Sequence, residues 1–419
     1  MKQHFIQNIL IKEVRNIKNL EIPLSSDKRK HLIITGKNGS GKTSMLVEIN
    51  SLLNEIFNNE FSIIRQNLRN IENSKNAIVL FQENLESFEK DLRIVQNFEE
   101  SIERCEEDIV EARAKIGFLK IECTFSTKNQ VYEYSEDNKF ILKFFEAKRN
   151  FNLDIPNTPI KQEFQKKYNS NFELNQTFLQ YMLNLKTAQA FAQIRNDNNE
   201  AENIAKWFDT FENSLKTIFD EDELKFIFYD KEYTFKIEYN NKSFGLNELS
   251  DGYSSLLGIL TELILRMEAH NVKAYDMQGV VLIDEIETHL HIELQKKILP
   301  FLVSFFPKIQ FIVTTHSPFV LSSLANAVVC DLEKKLVIED LSEASYSGLV
   351  RNYFGLSSEY SILLEKKFKE FETLVKRERL TEIEEDRLIE LDVEFSNITP
   401  LFSSELYAKY ITLRKAFLV

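Results

Sequence analysis

Residues 31–43 read HLIITGKNGSGKT. A short apolar strand pattern runs into GKNGSGKT (36–43), which satisfies GxxxxGK[ST], and a helical pattern starts directly after Thr43. Strand, glycine-rich loop and helix are the setting in which this spacing wraps a phosphate. Glycines let successive backbone N–H groups curl inward on the anion, and the helix N-terminus adds the positive end of its dipole. Gly36, Lys37, Asn38, Gly39, Ser40, Gly41, Lys42, Thr43 and Ser44 are therefore expected to form a nucleotide cradle for ATP. Lys42 is placed to reach the β- and γ-phosphates, and the Thr43 hydroxyl to ligate Mg2+. The chain has only 10 glycines in 419 residues, and three of them stand at 36, 39 and 41. So uneven a distribution has a conformational reason.

Downstream, GVVLIDEIETHLH (279–291) is an apolar strand ending in paired acids. Beside a phosphate loop, Asp284 is the expected Mg2+ ligand, and Glu285 the group that positions and activates the attacking water. QFIVTTHSPFVLSSL (310–324) is a further buried strand, ending at His316. Upstream of both, FGLNELSDGYSSLLGILTELILRM (244–267) sets Leu249-Ser250-Asp251-Gly252-Tyr253 just before an amphipathic helix. Taken alone, Ser250 there is an N-cap. His289 and His291 form an HxH pair without a third ligand at suitable spacing, and they read as the loop that follows the acidic strand.

Residues 2–35 carry strand patterns. From 44 to 117 the pattern is helical, with Asn73-Ser74-Lys75-Asn76 as a candidate turn. The second helix has a seam at Leu85, Phe88, Leu92, Val95, Phe98, Ile102, Cys105, Ile109, Ala112 and Ile116, in steps of three and four. This predicts a helical hairpin that projects about 45–50 Å; two amphipathic helices lying flat on the body satisfy the same pattern. Strands are expected at 118–125 and 140–145, a loop at Pro156 and Pro159, helix over 160–220 and a hairpin over 225–239. Helix, strand, helix, strand and helix are expected in turn from 253 to 340. A helical tail starts at 359, with a capping-box spacing at Thr381-Glu382-Ile383-Glu384.

Hydrophobic residues make up 43% and charged residues 28%, enough apolar material for a sizeable core. No run reaches the roughly 18 apolar residues that a membrane span needs. Polar residues interrupt MKQHFIQNILIKEV, which does not read as a signal peptide, and Cys105, Cys123 and Cys330 lie too far apart for a disulfide framework. A cytoplasmic protein is expected. A net charge of −13 argues against coating nucleic acid over the whole surface but allows a local basic groove.

Phosphate loop, a distant serine-led motif, an acidic strand and then a histidine is an order similar to that of the ABC-type ATPases. LSDGY (249–253) resembles their LSGGQ signature, with Asp251 and Tyr253 as departures. The resemblance implies that Ser250 and Gly252 bind the γ-phosphate of ATP held by a second protomer, and that His316 senses the γ-phosphate. AAA+ proteins place the acidic strand much nearer the loop. The inserted hairpin resembles the SMC, Rad50 and RecF branch. The expected fold class is thus α/β: an ABC-type P-loop ATPase head (1–53 and 118–340), a coiled-coil arm (54–117) and a helical C-terminal region (341–419). No glutamine suits the Q-loop role of such proteins. Gln82 falls inside the arm, and KFFEAKRN (143–150), with Arg149, is the substitute.

More narrowly, LSDGYSSLL, VLIDEIETHLH and FFPKIQFIVTTHSPFVLSSL resemble AAA-family ATPases of bacterial anti-phage defence operons, the ATPase subunit of Septu systems first and that of PARIS systems next. The resemblance implies an ATP-sandwich dimer or higher homo-oligomer that holds or regulates a partner nuclease or toxin from a neighbouring gene. The alternative is a DNA-repair ATPase of the Rad50/RecF kind that clamps DNA, so direct DNA contact stays open. No second reaction centre is recognised.

Overall fold

In a computed structural model, residues 3–59, 62–87, 92–126, 140–149, 151–165, 168–268, 277–344, 349, 362–377, 379–396 and 404–417 are described. Strands β1 (Ile6–Val14) and β2 (Ile17–Pro23) alternate buried and solvent-facing residues and pair antiparallel, Ile11 opposite Leu20. Strand β3 (His31–Thr35) is buried at all five positions. The phosphate loop follows, then helices α1 (Lys42–Phe57), α2 (Ile63–Ser87) and α3 (Leu92–Lys115). Strand β4 (Ile121–Phe125) returns to β1 and completes a three-stranded antiparallel sheet.

Next come β5 (Phe140–Phe145), α4 (Phe178–Ile194) and α5 (Asn198–Phe219), then the antiparallel strands β6 (Lys225–Tyr229), β7 (Thr234–Tyr239) and β8 (Lys242–Gly245). The last stretch of this unit runs α6 (Asp251–Glu268), β9 (Gln278–Ile283), α7 (Ile292–Phe305), β10 (Ile309–Thr314), α8 (Pro318–Leu321), β11 (Ala327–Asp331) and β12 (Leu336–Glu339).

Six strands form the central sheet in the order β12-β11-β3-β10-β9-β5, parallel except for β12 on β11. Every residue of β3, β9, β10 and β11 is buried. Unbroken apolar runs of this kind belong to a sheet covered on both faces. Met45, Leu46, Ile49 and Leu53 of α1 share one core with the antiparallel sheet and the central strands. Because β10 lies between β3 and β9, the loops leaving the ends of these three strands converge, where ligand sites of open α/β sheets lie.

The hairpin α2–α3 closes on itself. Ile71 packs with Ala112 and Ile116, and the Phe81 and Phe98 rings lie 5.9 Å apart, which makes the helices antiparallel. No described residue from Glu72 to Glu111 is buried. Three expectations change here. Residues 73–76 are helix interior, because the seam through Ile71, Ile78, Phe81 and Leu85 continues past the turn-like Asn-Ser-Lys-Asn. The second helix starts at Leu92, so Leu85 belongs to α2 and Phe88 falls outside the described residues. Its 24 residues span about 36 Å, short of 45–50 Å.

Elsewhere, residues 151–165 are irregular rather than partly helical, and the expected hairpin at 225–239 gains β8 as a third strand. Where a closing helix is expected before 340, the helix is confined to α8 and residues 327–339 form strands β11 and β12, because β11 pairs with β3.

The chain divides into two compact units, Met1–Ala344 and Ser345–Val419. The second holds α9 (Ile362–Val375), α10 (Glu382–Ser396) and α11 (Ser404–Phe417). Phe371, Leu388, Leu391, Phe395 and Tyr410 fill a core of its own. At the start of α10, Glu384 Oε2 accepts from the Thr381 backbone N–H at 3.0 Å, the reach-back half of a capping box.

Candidate functional site

The loop after β3 holds Gly36, Gly39 and Gly41 at φ of 139°, 83° and 101°, a region that costs side-chain-bearing residues energy. Gly41 caps α1 in this left-handed geometry, so the helix begins with its N–H groups facing the loop. Lys37, Asn38 and Gly39 are exposed, Ser40 and Ser44 are half-buried, and Thr43 is exposed at the helix start. Lys42 is buried, at 7% exposure, and its ammonium donates to the carbonyls of Gly36 (2.9 Å) and Lys37 (3.2 Å). Burial lowers its pKa, against the opposing pull of Glu285, Asp284 and Glu287. Among the described residues Ser40 Oγ is buried without a hydrogen-bond partner. An ammonium held on two carbonyls and a hydroxyl with no partner among the described residues are donors suited to a polyphosphate.

Asp284, buried at the end of β9, accepts two hydroxyls: Thr43 Oγ1 on Oδ2 at 2.8 Å and Thr314 Oγ1 on Oδ1 at 2.6 Å. Thr314 Oγ1 in turn accepts the Glu285 backbone N–H at 2.7 Å. The last residue of β10 thus fixes the acidic turn next door. Glu285 has φ 44°, left-handed although it is not glycine; its carboxylate stays half-buried. Two hard oxygen ligands, Thr43 and Asp284, fit Mg2+, which takes few protein ligands and completes its shell with phosphate and water. Among the described residues no group of three or more His, Cys, Asp or Glu forms a cation cage, and His289 and His291 are both exposed.

Arg149 reaches into this site from the segment after β5. Its guanidinium donates to Ser255 Oγ (3.0 Å), the Asp284 carbonyl (3.4 Å) and the Glu285 carbonyl (2.9 Å). Loss of water around it pushes its pKa down to about 10, with Glu287, Asp284 and Glu285 pulling the other way. Gln82 is exposed on α2.

The sequence reading missed two residues that organise this end of the sheet. One is Thr314. The other is Glu287, whose Oε1 accepts the His316 backbone N–H at 2.5 Å while Oε2 is buried and has no partner among the described residues. His316 is half-buried, and the next residue, Ser317, donates to Gln295 Oε1 at 2.7 Å. An acid two residues beyond Glu285, and a threonine pair just before His316, are the only traces these roles leave in the sequence.

Lys42, Thr43, Asp284, Glu285 and His316 are therefore gathered at one end of the sheet. Ser250 and Gly252 lie at the start of α6, and among the described residues no hydrogen bond or ion pair joins them to the phosphate loop. Ser250 is exposed. Gly252 is buried, and a Cβ there would meet the His289 carbonyl oxygen at 2.7 Å. Glycine is required because the helix start rests directly on the backbone that follows the acidic turn.

Over 87 residues, 21% of this chain and 12% of the relative, the sequence is 41% identical to "Septu protein PtuA" of Bacillus mycoides (strain KBAB4). Over 209 residues, 46% of this chain and 40% of the relative, it is 25% identical to "Retron Vc95 probable ATPase" of Vibrio cholerae serotype O1 biovar El Tor. The chain therefore covers less than half the length of either relative. Among solved structures, an SMC head bound to the C-winged helix domain of ScpA aligns over 81% of this chain and 99% of that one, at 13% identity and a TM-score of 0.37. A phosphate loop facing an acidic turn across β10 is the nucleotide-site arrangement of a P-loop domain. The family described as "AAA domain, putative AbiEii toxin, Type IV TA system" matches residues 32–322, more than half the chain, and the chain belongs to that family.

Proposed function

We propose that this chain is a Mg2+-dependent ATP-hydrolysing subunit of a bacterial anti-phage defence system, which uses nucleotide-driven self-association to hold or regulate a partner nuclease or toxin. One observation carries the reading: the hydrogen bond from Thr43 to Asp284, which sets the phosphate loop against the acidic turn. The names of its relatives, a Septu protein and a retron ATPase, support the defence setting.

In this reading Lys42 exchanges its two carbonyl partners for phosphate oxygens. Thr43 and Asp284 hold Mg2+, which when bound offsets the charge developing on the phosphates. Glu285 orients water and accepts its proton. His316 monitors the γ-phosphate. Exposed Ser250, with the helix start at Gly252, serves nucleotide held by a second copy. The ATPase head comprises 1–53 and 118–340, the arm 54–117 and the helical region 341–419.

The test is ATP binding and hydrolysis by the purified chain with Mg2+, beside Lys42→Ala. Lys42→Ala should lose both, because it removes the phosphate's buried countercharge. Unchanged nucleotide affinity in that variant would rule the assignment out. The wild-type chain alone should leave DNA and RNA uncut and should co-purify with the product of a neighbouring gene.

A further inference from the structure

We propose that Glu287 is a positioning residue of this site, holding the backbone of His316 so that its imidazole faces the nucleotide. The inference rests on the ATPase reading and deepens it.

Four contacts join the acidic turn to the end of β10. The Glu285 N–H donates to Thr314 Oγ1, the Ile286 N–H to the Thr314 carbonyl at 3.1 Å, and Thr314 Oγ1 to Asp284. These three fix the strand up to Thr314. The fourth reaches past the strand end, where Glu287 Oε1 accepts the His316 N–H at 2.5 Å. The acceptor of the His316 backbone N–H is thus a side chain and not a neighbouring strand. On either side of His316 the Thr315 N–H donates to the Ile34 carbonyl at 2.9 Å, the Ser317 N–H to Thr315 Oγ1 at 2.9 Å and Ser317 Oγ to Gln295, so that Glu287 takes the N–H between them.

A carboxylate suits this task for a geometric reason. One oxygen takes the N–H, while the other is buried, with no partner among the described residues, beside the charges of Lys42 and Arg149. An acceptor at that spot, rather than a negative charge, is what His316 needs. The amide oxygen of glutamine satisfies it at the same reach. Aspartate keeps the charge but is one methylene too short.

The experiment compares Glu287→Gln with Glu287→Asp in the full chain, reading kcat and ATP affinity separately, each also in a His316→Ala background. We expect Glu287→Gln to keep kcat within about threefold of wild type and Glu287→Asp to lose about tenfold or more, the range of one buried N–H left without its acceptor. ATP affinity should hold in both. In the His316→Ala background Glu287→Asp should add no further loss, since residues acting through one another are not additive. An active Glu287→Asp with an inactive Glu287→Gln, or losses that multiply in the double variant, would overturn the assignment. A wild-type chain with no ATP turnover would instead remove the ATPase reading beneath it.

Discussion

The Thr43 hydroxyl donates to Asp284 Oδ2 at 2.8 Å, joining residues 241 positions apart in the chain. The bond depends on strand order. β3 and β9 are not neighbours, and β10 between them supplies Thr314 to the other oxygen of the same carboxylate. Asp284 is thus oriented from both sides before any ligand arrives.

Glu285 lies on the same turn, with a half-buried carboxylate and a backbone fixed by Thr314 and Arg149. Glu285→Gln keeps its shape but removes the proton acceptor. Turnover should fall by about 100-fold or more, the range of a lost general base, with ATP affinity preserved and the ATP-bound assembly accumulating on size-exclusion chromatography. Wild-type turnover in this variant would remove Glu285 from its role.

Ser250 is exposed at the start of α6, apart from the phosphate loop of its own chain. Ser250→Arg should therefore leave nucleotide binding by the single chain intact and block hydrolysis. Mixing it with Lys42→Ala protein should restore activity through one composite site. An additive, inactive mixture would argue that Ser250 acts within its own chain.

Arg149 shares three carboxylates with Lys42, and its donors hold two carbonyls of the acidic turn and one side chain of α6. Arg149→Met leaves those acceptors without their donor. It should destabilise the nucleotide-free chain by about 1–3 kcal/mol and lower kcat. Arg149→Lys, a point charge without the planar fork, should recover stability better than kcat. Denaturant titration and steady-state kinetics on the two variants separate the effects. Equal recovery of both would make Arg149 a countercharge only.

His31 is fully buried in β3, and its Nδ1 accepts the Phe311 N–H at 3.0 Å. Burial first, and the nearby Arg29 charge second, push its pKa down to about 3. The unfolded chain takes up this proton near pH 6.5, the folded chain only near 3. The stability that the neutral ring contributes is therefore complete above about pH 6.5 and is lost as the pH falls toward 3. His31→Asn offers an acceptor that does not titrate, so its stability should decline less steeply between pH 7 and pH 5. Parallel declines would place the acid sensitivity elsewhere.

The strand, loop and helix around GKNGSGKT were legible because three local preferences agree there: apolar run, glycine cluster and amphipathic start. The acidic turn and His316 were legible for the same reason, each closing an apolar strand. Strand β11 was not. Its five buried residues are followed by Leu332-Glu333-Lys334-Lys335, a charged turn that looks like the exposed face of a helix, and only its pairing with β3 settles the matter. Asn73–Asn76 misled in the opposite direction, because packing of α2 on α3 overrides a local turn preference. Thr314 and Glu287 bond largely to backbone groups, which have no identity in a sequence.

The hairpin α2–α3 has a consequence for how such chains diverge. Between Glu72 and Glu111 none of its described residues is buried, so its interior register is set by the two helices alone. Inserting or deleting one heptad in each helix would shift the tip by about 10 Å while leaving Thr43, Asp284 and Glu285 where they are. The length of the hairpin can in this sense change as a separate inheritable trait, without renegotiating the chemistry at its root.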